Sequence, residues 1–488
     1  MRVLEILVVL AAAAALLAAV FPLPHRLRLL AAPAAALAVG IHLLAEGPRA
    51  PMVPAYALVG LLFLAWLRTV ARGRPVRRRA TRFTALGVGV AGMAAAVALP
   101  VAVPAYTFPR PGGPYAIGTL TYHWTDTDRP EILSADPDDH RELMVQIWYP
   151  AETVPTAHSA PYVPDADAVG SAMAGLHGLP EVLFNVLGSA TTNAVTAAPA
   201  ATDRPTHPVL IFLEGLTGYR QMNTFQVEEL VSRGYVVAAI DQPSIAADVV
   251  FPDGRRAGNL TVAEMKALLA ASLGPVATPP TLNGRSFADG DVGYLAQDVG
   301  FTLDQLAVLN RADPNGVLTG RLDLERTGLF GISMGGIVGA EACRLDPRLR
   351  ACLVMDAPMP SDVVRDGLAQ PTMWITRDVA TMQAEGWSPA EIDQHQTTMR
   401  STFDTLRADG WFVQIPGMFH LDLTDIPALL PITRLLGYAG PIGTRHAHDL
   451  VNAYSTAFFD RYLAGRPAPL LDEPPDLHPD VQVESHRP

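Results

Sequence analysis

Cysteine is almost missing from this chain. Among 488 residues there are two, Cys343 and Cys352. So few exclude a disulfide scaffold, and with no CxxC pair or Cys/His cluster there is no zinc spacing to read. Positive charge is scarce too. The formal net charge is −12, no basic groove can be assembled, and nucleic acid is excluded as a partner. Apolar residues are in excess instead. Mean hydropathy is positive, which is unusual for a soluble enzyme, and the surplus lies near the N-terminus. The length exceeds that of one ordinary domain.

Four apolar stretches open the chain, at about 3–22, 29–45, 53–67 and 83–104. Most approach the ~20 residues that cross a ~30 Å hydrocarbon layer. A signal peptide would account for the first alone, and its basic leader is only Arg2, with Glu5 close behind. Core helices of a soluble domain would show a charged face, and these do not. Residues 1–106 therefore read as a membrane unit with about four transmembrane helices, three being the alternative count. No acidic or basic residue lies deep in a stretch, so a transport or proton path has no support. The segment "RTVARGRPVRRRATR", residues 68–82, is packed with arginine and is expected to stay cytoplasmic. "PHRLR", with Arg26 and Arg28, falls on the same side, and "EGPRAP", with Arg49, on the other. Everything past residue 104 is then expected on the extracytoplasmic side of the cell membrane. Residues 107–118, rich in proline and glycine, read as a linker. The Pro/Asp-rich stretch 466–488 reads as a poorly ordered tail.

Between linker and tail, residues 119–465 alternate strand and helix patterns. "ELMVQIWYP", "HPVLIFLEG", "YVVAAID", "RTGLFGIS", "ACLVMD", "PTMWIT" and "WFVQIPG" are short apolar runs. "NTFQVEELVSRG", "LAQDVGFTLDQLAVLN" and "MGGIVGAEACRL" have helical spacing. The order predicts an α/β fold, a mostly parallel sheet with helices on both faces. Two insertions, near 157–203 and 244–292, interrupt it and are expected to wall a pocket at the strand tips. Their apolar groups, "GLPEVLFNVLG" with Leu183 and Phe184, and "VAEMKALLAASLG", would suit a funnel facing the bilayer or simply pack on the sheet.

Gly331, Ser333 and Gly335 form G-x-S-x-G between a strand and a helix pattern, the context of a nucleophile elbow. Small neighbours leave room for a sharp turn that exposes the serine hydroxyl. That hydroxyl attacks only if a base takes its proton. On such a fold the chain order is serine, acid, histidine. Asp356 ends an apolar strand and is the expected acid; Asp346 fits a helix-end loop better. His420 follows the last strand and is the expected base. His395 lies in a polar helical pattern, and His446 and His448 open a final amphipathic helix where a surface role is simpler. Asp422 is too near His420 to be the usual partner and stays in reserve. The oxyanion donors would be the backbone N–H of Met334 and that of Leu216 or Thr217 in "FLEGLTGYR", where Gly215 and Gly218 supply the turn.

"GISMGG", "LVMDAP", "GMFHLDLTD", "FLEGLTGYR" before "SRGYVVAAID", and the opening "GPYAIGTLTYHWTD" with "RELMVQIWYPA" together resemble the platelet-activating-factor acetylhydrolase (isoform II) family of α/β-hydrolases, over about 110–465. The resemblance implies a calcium-independent serine carboxylic-ester hydrolase with no cofactor and no metal. It implies Ser333, Asp356 and His420 as triad, Leu216 and Met334 as oxyanion donors, and short-chain, lipid-derived or phospholipid esters as substrates. The family often has a histidine-glycine pair before the oxyanion loop; here Glu214-Gly215 stands in its place. The membrane unit lies outside the resemblance. The same triad serves a serine acyltransferase or a peptidase. A non-catalytic membrane receptor on a dead hydrolase fold would commonly lose serine or histidine, and both are present. Outside the cytoplasm Cys343 and Cys352 can form a disulfide or stay as two buried thiols.

Overall fold

The computed structural model describes residues 2–21, 23–72, 79–155, 157–257, 260–472 and 481–488, without the side chains of 72 and 79–85. Part of the arginine-rich segment, 73–78, lies outside the described residues. The chain forms two compact units. One comprises Met1–Tyr106, Pro180–Ser189 and Leu429–Ile432; the other comprises the rest.

The first unit is helical: Val3–Val20, His25–Ala45, Val53–Arg72 after a short 3-10 turn, and Arg79–Ala102. Its buried positions are small, with Ala12, Ala15, Ala32 and Ala35 meeting at the helix contacts. Its large side chains point outward, Leu44 91% exposed and Leu61 61% exposed. Water would oppose that arrangement and lipid tails suit it, since helices in lipid associate by close backbone approach at small residues. Among the described residues three helices are long and apolar enough to cross a membrane, the alternative count rather than the four first expected; the described apolar part of the last helix, Leu86–Ala102, falls short. The charged groups gather at helix ends. Arg49 pairs with Glu5 and donates to the Val103 carbonyl at 2.9 Å. His42 bonds the Tyr56 hydroxyl at 2.8 Å and faces Glu46 at 3.2 Å. Glu5, His42 and Glu46 thus offer ligand atoms within 4.8 Å of one another, a grouping no sequence spacing announced.

The second unit is built on one ten-stranded sheet. Its strands are β1 Ala116–Pro130, β2 His140–Ala151, β3 Ala194–Thr196, β4 His207–Leu213 and β5 Val236–Asp241, then β8 Leu322–Ile332, β9 Leu349–Met355, β10 Thr372–Thr376, β11 Gly410–Gln414 and β12 Gln482–His486. β6 Thr281–Leu282 and β7 Arg285–Ser286 form a separate hairpin. The sheet order is β12-β11-β10-β9-β8-β4-β5-β2-β1-β3. From β5 through β4, β8, β9 and β10 to β11 every pairing is parallel. These central strands are apolar on both sides because helices cover both faces: all seven residues of β4 and all six of β5 are buried.

β1 and β3 were not legible as strands. β1 is an edge ribbon whose outer half is polar, so it lacks the apolar run that marks its neighbours. The expectation of a poorly ordered tail is corrected in part, since Gln482–His486 pairs antiparallel with β11 and closes that edge. Of the two readings of the insertions, a funnel or plain packing, the burial of their apolar groups fits packing. The helix Val262–Leu273 buries Met265 and Leu268 against Leu133 and Phe287, and Phe184 is 4% exposed, so these apolar faces are largely consumed by packing.

Cys343 and Cys352 are joined by a disulfide between the helix Met334–Leu345 and β9, with Cα atoms 6.6 Å apart. Closing so short a loop stabilises by about 2–3 kcal/mol in the chain-entropy picture. Alkylation without reductant should label no thiol, and prior reduction should expose two and lower the unfolding temperature. Two labelled thiols in unreduced protein would contradict the bond.

Candidate active site

β8 runs out at Ile332, and the helix Met334–Leu345 begins one residue later. Ser333 alone makes the turn, at φ 54° and ψ −121°. Positive φ in a residue with a side chain costs of order 1–3 kcal/mol and persists only where surroundings enforce it. Enforcement is visible. The Ser333 N–H donates to the Met355 carbonyl at 2.9 Å, and the Ser333 carbonyl accepts from the Ile337 N–H at 3.0 Å. The glycines are required by space. A Cβ on Gly335 would lie 2.2 Å from the Leu213 carbonyl oxygen, and one on Gly331 would lie 2.2 Å from the Gly335 carbonyl oxygen.

Asp356 follows β9 directly, at φ 49° and fully buried within the protein. Its backbone N–H donates to the Ile375 carbonyl at 2.9 Å. Its Oδ1 accepts from the Thr376 hydroxyl at 2.8 Å. Its Oδ2 meets His420 Nδ1 at 2.5 Å. Burial alone would raise this carboxyl, but the guanidinium of Arg377 and the His420 bond hold it well below the usual carboxylate range. It is therefore a carboxylate wherever the protein is folded near neutrality. His420 opens a 3-10 turn after β11, and its side chain is 21% exposed. With Nδ1 committed to Asp356, its other ring nitrogen is the one available to a neighbour.

The loop after β4 passes close to Ser333. A Cβ on Gly215 would lie 3.4 Å from Ser333 Cβ. Of the two N–H groups left open by the sequence, that of Thr217 is taken by the Ile245 carbonyl at 2.8 Å. Leu216 has no such bond among the described residues. Met334, first in its helix, carries one of the N–H groups that a helix start leaves unpaired. Glu214 is buried, and its Oε1 accepts from the Gln242 N–H at 3.1 Å. Burial and then the charge of Asp241 push its carboxyl well above the usual range, which favours its neutral form.

The other sequence candidates separate clearly. Asp346 pairs with Arg348 at 2.6 Å at a helix end. Asp422 accepts from the Phe419 and Gly440 N–H groups at 2.8 and 2.7 Å, which fixes the turn around His420. His446 is exposed, but the surface role expected of His448 is corrected. His448 is buried, stacks on Phe225 at 3.7 Å and is pushed down to about 4 by burial. His395 is also not on a polar face. It is buried 3.7 Å from Asp356 Oδ1, and burial pushes it down to about 4. Arg377, Glu385 and Trp387 were missed, and His395 was weighed and set aside; a charged residue immediately after an apolar strand, "WITRD", was the one signal available for the first.

A strained serine at a strand tip, a histidine bonded to a buried carboxylate on the neighbouring strands and a glycine loop alongside define a hydrolase of the α/β class. Comparison with known proteins agrees. A solved ferulic acid esterase from Streptomyces cinnamoneus superposes with a TM-score of 0.60 and 26% identity, covering 78% of this chain and 99% of its own. The profile of the family "Platelet-activating factor acetylhydrolase, isoform II" matches residues 101–254. A platelet-activating factor acetylhydrolase of Cavia porcellus is 24% identical over 73% of this chain and 78% of its own length. A probable 1-alkyl-2-acetylglycerophosphocholine esterase of Arthroderma benhamiae is 24% identical over 77% of this chain and 93% of its own. The chain is a carboxylic ester hydrolase on an α/β-hydrolase fold. It is similar to the platelet-activating factor acetylhydrolase isoform II family over residues 101–254 and carries apolar N-terminal helices.

Proposed function

We propose that Ser333, His420 and Asp356 form a catalytic triad that hydrolyses short-chain, lipid-derived or phospholipid esters through an acyl-enzyme. The observation that carries the reading is the Asp356–His420 contact at 2.5 Å beside a serine held at φ 54°. The free nitrogen of His420 takes the Ser333 hydroxyl proton as Oγ bonds to the ester carbonyl carbon. The developing oxyanion is received by the N–H groups of Leu216 and Met334. Collapse breaks the ester C–O bond, and His420 returns the proton to the leaving alcohol. Water, deprotonated by His420, then releases the acid. Burial that favours the neutral form of Glu214 lessens the negative charge beside the oxyanion loop, where a charged carboxylate would oppose the developing oxyanion.

A serine-directed fluorophosphonate should label the wild-type protein at Ser333 alone. A panel of matched ester, amide and lipid substrates should then show ester hydrolysis dominating. Preferred amide cleavage, or product carried to an added alcohol rather than water, would give the site to a peptidase or an acyltransferase. The triad needs no ion, so EDTA should leave the rate unchanged; a loss restored by calcium or zinc would contradict the mechanism.

The enzyme is proposed to work on the extracytoplasmic side, anchored in the cell membrane by its apolar helices. The arginines at 68–82 support that orientation. Reporter fusions after residue 80 should read cytoplasmic, and fusions after residue 110 external. The reverse pattern would move the ester bond it meets to the other face.

A further inference from the structure

The Asp356 carboxylate is not held by His420 alone. Arg377, the residue after β10, is fully buried, and its Nη2 lies 2.7 Å from Asp356 Oδ2, the oxygen that also meets His420 Nδ1. Its Nη1 pairs with Glu385, at the end of the helix Val379–Glu385. Glu385 in turn accepts the backbone N–H of His420 at 3.2 Å. The indole of Trp387 covers the guanidinium at 4.4 Å and stands 5.9 Å from the His420 ring. His395 closes the other side of the carboxylate.

Removing an arginine from water is costly unless its charge is compensated; here Nη1 donates to Glu385, while Nη2 meets Asp356 as an ion pair and neither it nor Nε has a hydrogen-bond acceptor among the described residues. A counter-ion needed only to neutralise Asp356 would be satisfied at either oxygen. This guanidinium takes the same oxygen as the imidazole, and its second arm holds the carboxylate that receives the His420 backbone. One planar fork therefore fixes His420 at both ring and main chain, a geometry that lysine cannot reproduce. We infer that Arg377 is a positioning residue for the Ser333–His420–Asp356 chemistry, orienting His420 through Asp356 and Glu385 and drawing off part of the Asp356 charge. The inference rests on the triad reading above.

The charge argument has a sign. Asp356 faces Arg377, His420, His395 and the neutral Thr376 hydroxyl, and Glu385 faces Arg377 and the His420 backbone. His395 is neutral near pH 7 because burial pushes it down to about 4, so among the described residues Arg377 is the permanent cation that offsets Asp356 there. Without it the carboxylate would hold a proton on the imidazole more tightly, and a protonated imidazole is no base. The acid limb of the kcat/KM profile must then move to higher pH.

The test uses the full chain in detergent, with a short p-nitrophenyl ester and with active sites counted by fluorophosphonate labelling. In Arg377→Met, kcat per labelled serine should fall on the order of tenfold to a hundredfold, as for other groups that orient a functional side chain from behind. KM should stay within about twofold, because no substrate contact is lost. The acid limb should rise by about half a pH unit or more. In Arg377→Lys the charge survives and the fork does not, so the limb should stay near its wild-type position while kcat per labelled serine falls about threefold or more. A purely structural arginine would reduce the number of labelled sites and move neither quantity. An Arg377→Met protein with wild-type kcat per site and an unmoved limb overturns the inference. Should that variant fail to fold, an Arg377→Lys protein with unchanged kcat per site overturns it equally. A Ser333→Ala control that stays active would instead remove the triad reading, and this inference with it.

Discussion

Changing Ser333 to alanine should lower hydrolysis of a short p-nitrophenyl ester by several orders of magnitude, to the level left by binding and the oxyanion donors. The fold should survive. Ser333 is 3-10-free backbone at a strand tip whose N–H and carbonyl bonds to Met355 and Ile337 remain available to alanine. Alanine at φ 54° keeps the Cβ already accommodated there, so the unfolding temperature should change little. Adding His420→Ala to this variant should cost almost nothing more, because members of a triad act as a unit. Activity above about a tenth of wild type in Ser333→Ala would end the assignment, since a triad without its nucleophile retains far less than that.

Changing Gly335 to alanine should be as damaging by a different route. The added methyl would meet the Leu213 and Glu214 carbonyl oxygens at 2.2 and 2.4 Å, and both belong to backbone that cannot swing aside. Relief requires β4 or the helix Met334–Leu345 to shift, which disturbs the Ser333 turn and the Gly215–Gly218 loop together. A loss of about 3 kcal/mol or more is expected, at the severe end of single substitutions. Gly293→Ala is the control: it lies in the helix Val292–Arg311 with open space at its Cβ, and should be neutral or stabilising. Scanning fluorimetry with fluorophosphonate labelling reads both. A Gly335→Ala protein that melts with wild type and labels at the same rate would mean that the elbow packs otherwise.

The parts of this molecule that sequence disclosed are those governed by local rules. Gly331 and Gly335 flank Ser333 because the turn between β8 and its helix leaves no room for a Cβ, within the turn itself at Gly331 and against the end of β4 at Gly335, and the G-x-S-x-G spacing carries both constraints in five consecutive residues. The inner strands announced themselves because burial on both faces forces unbroken apolar runs. Asp356 and His420 were found by their place at strand ends, which the order of elements dictates. What escaped depends on distance along the chain. Arg377 and His395 reach Asp356 from 21 and 39 residues downstream (377 − 356 and 395 − 356), and only the assembled sheet brings them together. His395 sits in a helix that is polar along most of its length, so pattern assigned it to a surface. β1 escaped for the opposite reason: an edge ribbon half open to water needs no continuous apolar run. The span count differs because the described apolar part of the last helix, Leu86–Ala102, is shorter than the stretch 83–104 read from the sequence.

The bridge between Cys343 and Cys352 has a consequence for how the enzyme matures. Its halves are nine positions apart, so the encounter of the two sulfurs is local. No third cysteine exists in the sequence to capture either one. Four cysteines would admit three pairings; two admit one. Maturation therefore calls for an oxidant but gives a disulfide isomerase nothing to correct. In a reducing cytosol the same chain would be left with a loose tie between the helix that starts at Ser333 and the strand that ends beside Asp356, so the choice of compartment for producing it becomes a choice about how firmly those two residues are yoked.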